Sequence, residues 1–240
     1  MKVVALVSGG KDSCFAMMLS QRQGHEIVAM ANLVPKAGGP DELDSYMFQT
    51  VGHQLLALYP ACMNVPLFRR NISGRSTHQD LTYTKTEGDE VEDLAALLAF
   101  IIERIPGVTG VVSGAIASDY QRLRVESVCA RLNLVSLAPL WHQPQRGLLR
   151  DMIESGLDAI LVKTAALGLD PSRHMGKGLA HMEPLLLRLE QRFGSNVCGE
   201  GGEYESMTLD CPLFSQARIV LDEFEVRIRK GEMHAKVWGV

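Results

Sequence analysis

The chain has 240 residues, enough for one large core or two modest ones. Its 46% hydrophobic and 22% charged content exclude a disordered chain, and its net charge of −4 argues against non-specific binding to nucleic acid. Five apolar residues (Val3 to Val7) precede Ser8, too few for the core of a signal peptide, and the longest apolar stretch, 94–102, is far short of a membrane span. The expectation is a soluble protein with no membrane and no direct nucleic-acid partner. The five cysteines, Cys14, Cys62, Cys129, Cys198 and Cys211, form no C-x-x-C pair, so neither a zinc ribbon nor a dithiol site is indicated and a reducing, cytoplasmic compartment is expected.

In chain order, the apolar run 3–7 predicts a strand, and the amphipathic segment 13–23 a helix ending at Gly24. Residues 26–33 predict a second strand, 41–59 a helix after a Gly/Pro-rich loop, and 65–68 a weak third strand beside Pro66. The polar stretch 69–85, with Arg69, Arg70 and Arg75, reads as a long loop of the kind that is often functional or mobile. Residues 90–105 predict a helix with acids in its first turn, 110–115 a strand, 118–132 a helix and 134–140 a strand closed by Trp141. Strands alternating with helices imply a parallel, doubly wound α/β sheet, in which ligands bind where the strand order reverses. That point joins the loops after the first and fourth of these strands. From about Gln143 the theme repeats at smaller scale: helix 148–155, strand 159–163, helix 179–193, and strand-like 207–209 and 219–228. The division expected is 1–142 for nucleotide binding and 143–240 for a smaller α/β substrate domain.

Three stretches carry chemistry. The first is Ser8-Gly9-Gly10-Lys11-Asp12-Ser13, directly after the first strand. Glycines let the backbone turn sharply and approach a ligand, while loop amides, the helix dipole and Lys11 favour an anion. The spacing does not fit a Walker loop. Lys11 is suited to neutralise phosphate, Asp12 to hold Mg²⁺, and Ser8 and Ser13 to donate to phosphate oxygens; helix capping also accounts for Ser13. The second is the strand–glycine–helix junction of Gly114, Ser118, Asp119, Tyr120, Gln121 and Arg122. Ser118 with Gln121 makes a capping box, which alone accounts for both, while Gly114 permits close approach of a nucleotide and Arg122 can meet phosphate. The third is the glycine frame around Glu200, Glu203, Tyr204 and Glu205, whose carboxylates can hold a cation or take a proton from an amine. An aromatic beside acids also suits a quaternary ammonium group, and a solvated acidic turn is the plainer alternative. The seven histidines show no zinc spacing, and Asp170-Pro171 reads as a helix cap.

The loop at 8–13 resembles the SGGxDS pyrophosphate loop of N-type ATP pyrophosphatases. Together with ELDSYMFQTVGH (42–53), EGDEVEDL (87–94), SGAIASDYQRLRVESVCARLNL (113–134), AALGLD (165–170) and CGEGGEYESMTLDCPLF (198–214), it resembles the diphthine–ammonia ligase family over nearly the whole chain. The resemblance implies a sheet of the adenine-nucleotide-hydrolase-like (HUP) type and ATP-dependent amidation of diphthine on translation elongation factor 2. AMP and pyrophosphate are the by-products, through an acyl-adenylate, with ATP and Mg²⁺ as cofactors. It implies nucleotide contacts at Ser8, Gly9, Gly10, Lys11, Asp12, Ser13, Asn32, Gly114 and Ser118. Substrate contacts are implied at Tyr46, Asp119, Tyr120, Arg122, Glu200, Glu203, Tyr204 and Glu205, and catalytic roles at Lys11, Asp12, Glu200, Glu203 and Tyr204. Glu203 serves as an example of a proton acceptor, and Tyr204 as a partner for diphthine's trimethylammonium group. Longer relatives carry further C-terminal domains; here free ammonium is the expected nitrogen source, a homodimer is open to the chain, and the 69–85 loop is one surface for the elongation factor. The rivals are a tRNA-thiolating or tRNA-amidating enzyme, which suits a more basic chain or a reactive cysteine pair, and a nucleotide-binding regulator without turnover.

Overall fold

The computed structural model describes residues 1–36, 45, 47–77 and 80–222, and the backbone of two further strands at 225–229 and 232–236. Five parallel strands form the first sheet: β1 (Lys2–Leu6), β2 (Glu26–Val34), β3 (Leu67–Asn71), β4 (Val108–Val112) and β5 (Val135–Leu137), in the order β3-β2-β1-β4-β5. The order reverses between β1 and β4, as expected for a doubly wound sheet. Alternation along β1 explains the layering. Val3 and Ala5 join a core shared with α1 (Lys11–Arg22), α5 (Gln145–Glu154) and α7 (Leu179–Phe193), while Val4 joins one shared with α3 (Glu90–Arg104) and α4 (Asp119–Arg131). In α3, Val91, Leu94, Leu97, Leu98 and Ile101 recur at helical spacing and are all buried.

The remaining strands, β6 (Asp158–Thr164), β7 (Tyr204–Asp210), β8 (Glu225–Arg229) and β9 (Glu232–Lys236), form a sheet in the order β7-β6-β9-β8. All its pairings are antiparallel, so the second half does not repeat the parallel plan of the first. In the strand-like stretch 219–228, residues 219–222 are not strand and β8 begins at Glu225, while β9 had no sequence signal. The short α6 (Pro171–His174) begins as expected, with Asp170 accepting from the Ser172 amide.

One expectation is corrected. The helix over 41–59 is not formed: residues 41–44 and Tyr46 lie outside the described residues, 47–54 are turns and extended backbone, a 3₁₀ turn spans Leu55–Leu58, and helix α2 covers Tyr59–Met63. Local bonds explain this. Ser45 Oγ accepts from the amides of Met47 and Phe48, and the Gln49 side chain donates to the Ser206 carbonyl at 3.2 Å, across the molecule. Side chains also tie the described part of the loop after β3 to α3 and α4. Asp93 accepts from the amides of Ser73 and Gly74, Asp89 from Thr77, and Glu92 from the Tyr83 hydroxyl; the fully buried Arg124 donates to the Asp80 carbonyl. Acids expected to complement the α3 dipole therefore also fasten the preceding loop.

Candidate functional site

The motif at 8–13 forms a turn between β1 and α1, and the second half of the chain packs directly on it. Ser8 Oγ accepts from the Gly10 amide at 3.2 Å, and Ser13 Oγ donates to the Gly10 carbonyl at 3.0 Å. Both serines, expected to meet phosphate, thus shape the loop here, and the N-cap of α1 is Gly10. The Lys11 amide donates to Ser206 Oγ at 3.1 Å, and the Thr208 amide to the Gly9 carbonyl at 2.8 Å, so β7 lies along the loop's back.

Lys11 is where the two halves meet. Its Nζ donates to Asp12 Oδ2 at 2.8 Å and to the Cys198 carbonyl, and it sits 5.1 Å from the centre of the Tyr204 ring. Only 2% of Lys11 is exposed. Burial by itself pulls its pKa down, but the charge of Asp12, with smaller contributions from Tyr204 and Cys198, leaves it above the ordinary lysine value. The ammonium therefore stays charged. Asp12 Oδ1 is buried and has no hydrogen-bond partner.

The acid-bearing loop divides its side chains among different tasks. Glu200 Oε2 accepts from the Ala117 amide at 2.9 Å, which closes the loop onto the segment after β4. Burial raises the pKa of Glu200; the Ala117 amide opposes this, Asp12 adds to it and Lys11 opposes it. Glu203 accepts from the amides of Asn196 at 2.7 Å and Gly201 at 2.8 Å, so both its oxygens hold the loop in shape. Tyr204 is buried, and its hydroxyl donates to the Val197 carbonyl at 2.7 Å. In this arrangement the Tyr204 ring is enclosed beside Lys11. Glu205 pairs with Lys163 at 3.1 Å.

The second motif supplies the other wall. A Cβ on Gly114 would lie 2.8 Å from the Ser13 amide nitrogen and 2.9 Å from the Asp12 carbonyl carbon, so this glycine lets the β4 loop press against the first turn of α1. Ser118 caps α4 through the Gln121 amide at 3.3 Å. Arg122 bonds Asp119 at 2.9 Å and Glu126 at 2.6 Å and lies 4.5 Å from the Trp141 ring centre, a site already dense in partners. Tyr120 shares a hydrogen bond with Ser76 at 2.7 Å and stacks under Arg124. On the opposite side of β1, Asn32 donates to the Val7 carbonyl at 2.8 Å and accepts from Arg69 Nε at 3.2 Å. Arg69 in turn donates to the His53 carbonyl at 2.9 Å. Tyr46 lies outside the described residues.

The structure thus brings together Ser8–Ser13, Gly114, Glu200, Glu203 and Tyr204, and sets Asp119, Tyr120 and Arg122 on α4 at its side. Sequence reasoning missed Gln49, Tyr59 and the carbonyl of Cys198, and did not place Arg69 against Asn32 and His53. None of these carries a local pattern; they matter through contacts 50 or more residues away, or in Arg69's case through strand register. All five cysteines are free and buried, and burial pushes Cys129, Cys198 and Cys211 up to about 12, so these three are thiols and not thiolate nucleophiles. Among the described residues no group of three His, Cys, Asp or Glu side chains is arranged to hold a metal, and no helix is long and apolar enough to cross a membrane.

Comparison with known proteins supplies the wider context. A family model described as "Diphthamide synthase N-terminal domain" matches residues 1–136, and "Diphthamide synthase C-terminal domain" matches 144–237. A human relative described as diphthine–ammonia ligase is 55% identical over 239 residues, covering 99% of this chain and 89% of its own. A zebrafish (Danio rerio) relative of the same description is 55% identical over 238 residues, covering 99% and 92%. One from Schizosaccharomyces pombe is 50% identical over 233 residues, covering 97% of this chain and 38% of its own. Among solved structures, a Methanocaldococcus jannaschii chain described as a "predicted subunit of tRNA methyltransferase" aligns over 88% of this chain and 98% of its own, at 14% identity and a TM-score of 0.40. With both family models matched end to end along one α/β chain, this protein belongs to the diphthamide synthase family.

Proposed function

We propose that the protein is an ATP-dependent diphthine–ammonia ligase that amidates the diphthine carboxylate of translation elongation factor 2, releasing AMP and pyrophosphate, in the cytoplasm. Residues 1–142 bind the nucleotide and 143–240 present the acid-bearing loop. The observation that carries this reading is the burial of a charged lysine, Lys11, where a phosphate-type loop and a loop rich in carboxylates touch.

In the first step a carboxylate oxygen of diphthine attacks the α-phosphorus of ATP, and the bond from that phosphorus to the bridging oxygen of pyrophosphate breaks. Lys11 and the amides of the loop stabilise the charge that gathers on the departing pyrophosphate. Ammonia then attacks the acyl carbon of the adenylate, AMP leaves, and the surplus proton passes to a carboxylate. Glu200 suits that task better than Glu203, because backbone amides occupy both oxygens of Glu203. A raised pKa also makes Glu200 the stronger base of the ordinary glutamate type.

Asp12 fits Mg²⁺: Oδ1 is a buried acceptor without a partner, and Mg²⁺ is commonly held by one or two carboxylates with the rest of its shell from phosphate and water. When bound there, the ion would neutralise phosphate charge. A regulator that binds nucleotide without turnover is the second reading, favoured by the structural commitments of Glu203, Tyr204 and Glu205.

The test incubates the protein with ATP, Mg²⁺, ammonium and elongation factor 2 carrying diphthine, and follows AMP release and the acid-to-amide mass change. Both signals together uphold the ligase. AMP without amidation points to another acceptor, and bound ATP with neither signal points to the regulator.

A further inference from the structure

We infer that Tyr59, on the short helix α2, is a positioning residue that aims the amides of the phosphate loop. The inference rests on the ATP-dependent reading above. Tyr59 is fully buried, with its ring edge-on to Phe214 at 4.9 Å. Its hydroxyl lies 3.0 Å from the Gly9 carbonyl and 2.8 Å from the Thr208 carbonyl, and Cys14 Sγ donates to it at 3.8 Å. A phenol carries one proton, so Tyr59 shares it between the loop and β7 and ties one to the other. Burial pushes its pKa well above the ordinary tyrosine value, so the proton stays in place.

The peptide plane makes this bond directional. Gly9 sits at φ +86°, a conformation that other residues reach only with strain, and its carbonyl also accepts from the Thr208 amide at 2.8 Å. In a planar trans peptide the carbonyl and the following N–H point to opposite sides. Two donors that hold the Gly9 carbonyl against β7 therefore turn the Gly10 N–H the other way, where Ser8 Oγ accepts it. Without the hydroxyl, one of those two donors is lost and the Gly9–Gly10 peptide is held only by the Thr208 amide and Ser8 Oγ, which loosens its orientation. A side wall of the site thus comes from a residue 50 positions along the chain, and the strand behind it from one about 200 positions along. Tyr59 reaches the loop through the Gly9 carbonyl and so acts through the loop's backbone.

Tyr59→Phe keeps the ring and removes only the hydroxyl. The expected result is a dissociation constant for ATP about tenfold weaker, the worth of one hydrogen bond, with AMP formation at saturating ATP unchanged. Two controls separate aiming from stability. Leu149→Ala, in the core under α5, lowers the melting temperature without touching the loop, and Phe214→Leu loosens the ring while leaving the hydroxyl; both should bind ATP like the wild type. Wild-type affinity in Tyr59→Phe overturns the inference, as does an equal loss of affinity in Leu149→Ala. A Tyr59→Phe chain that cannot fold also overturns it, since the hydroxyl would then be a requirement of the core. If the wild type binds no ATP, the ATP-dependent reading itself fails and takes this one with it.

Discussion

The two glycine-rich loops that meet at Lys11 hold their polar groups in opposite ways. In residues 8–13 backbone amides and one lysine predominate, and hydroxyls hold them: the amides of Ser8, Gly10 and Lys11 donate to Ser13, Ser8 and Ser206. In residues 199–205 the conspicuous groups are side chains, and most are bonded within the protein: Glu203 to two amides, Tyr204 to a carbonyl, Glu205 to Lys163. The lesson is that density of carboxylates is a poor guide to which carboxylate reacts. Partners decide it, and burial raises the pKa of Glu200, which bonds the Ala117 amide in the segment after β4.

The sharpest way to test this contrast is Lys11→Ala. Removing a charge-bearing donor aimed at developing negative charge should lower AMP formation by about 10²–10³-fold. Quenched-flow measurement of AMP at saturating ATP checks it; a loss of less than about tenfold would move the phosphate chemistry away from Lys11. Glu200→Gln comes next. Amide formation should fall by roughly 10²-fold, the lower range for a general base, while acyl-adenylate formation, read as ATP–pyrophosphate exchange, persists. The sign of the pH dependence follows from the direction of the shift. Glu200 must be ionised to accept a proton and its folded pKa is raised, so the acid limb of the amidation rate should lie above the ordinary glutamate range and disappear in Glu200→Gln. The same shift means that the folded state prefers the protonated acid. Ionisation of Glu200 as pH rises therefore works against folding, and Glu200→Gln should not lower stability at neutral pH.

Glu203→Gln should behave in the reverse manner. An amide can replace one acceptor oxygen but presents N–H groups to the other backbone donor. Loss of one charge-assisted bond costs about 1–3 kcal/mol, or a fall in melting temperature of roughly 2–4 °C for each kcal/mol in a chain of this size. Calorimetry checks it. A variant with unchanged melting temperature and no amidation would return the catalytic role to Glu203.

How much of this was legible beforehand depended on whether the cause was local. The parallel sheet and its switch point follow from apolar runs and helical periodicity, so β1, β2, α3 and α7 fall close to where the residues put them. Asp170, Ser118 and the first-turn acids of α3 are visible because caps act within three residues. Residues 47–54 are not helical because bonds such as that of Gln49 to Ser206 set their conformation, and no window of sequence contains them. The second sheet was read as more of the same because period-two strands look alike whether their neighbours run parallel or antiparallel. Within the site, the phosphate loop is legible as a motif of backbone geometry. The fates of Glu203 and Tyr204 are not, since whether an acid is a base or a brace depends on amides that the fold delivers.

Glu205 offers the smallest effect and still bears on the contrast. It faces Lys163 across the antiparallel β6–β7 pair, in register, with about a fifth of each side chain exposed (23% and 22%). Cross-strand ion pairs of this kind contribute roughly 0.2–1 kcal/mol, because water still screens them. Glu205→Gln should therefore lower the melting temperature only slightly, soften further in its salt dependence, and leave AMP release and amidation at wild-type rates. If amidation is lost in Glu205→Gln while stability is kept, the reactive region extends past Tyr204 into β7, and the division between a bracing side and a reacting side of the loop must be redrawn at Glu205.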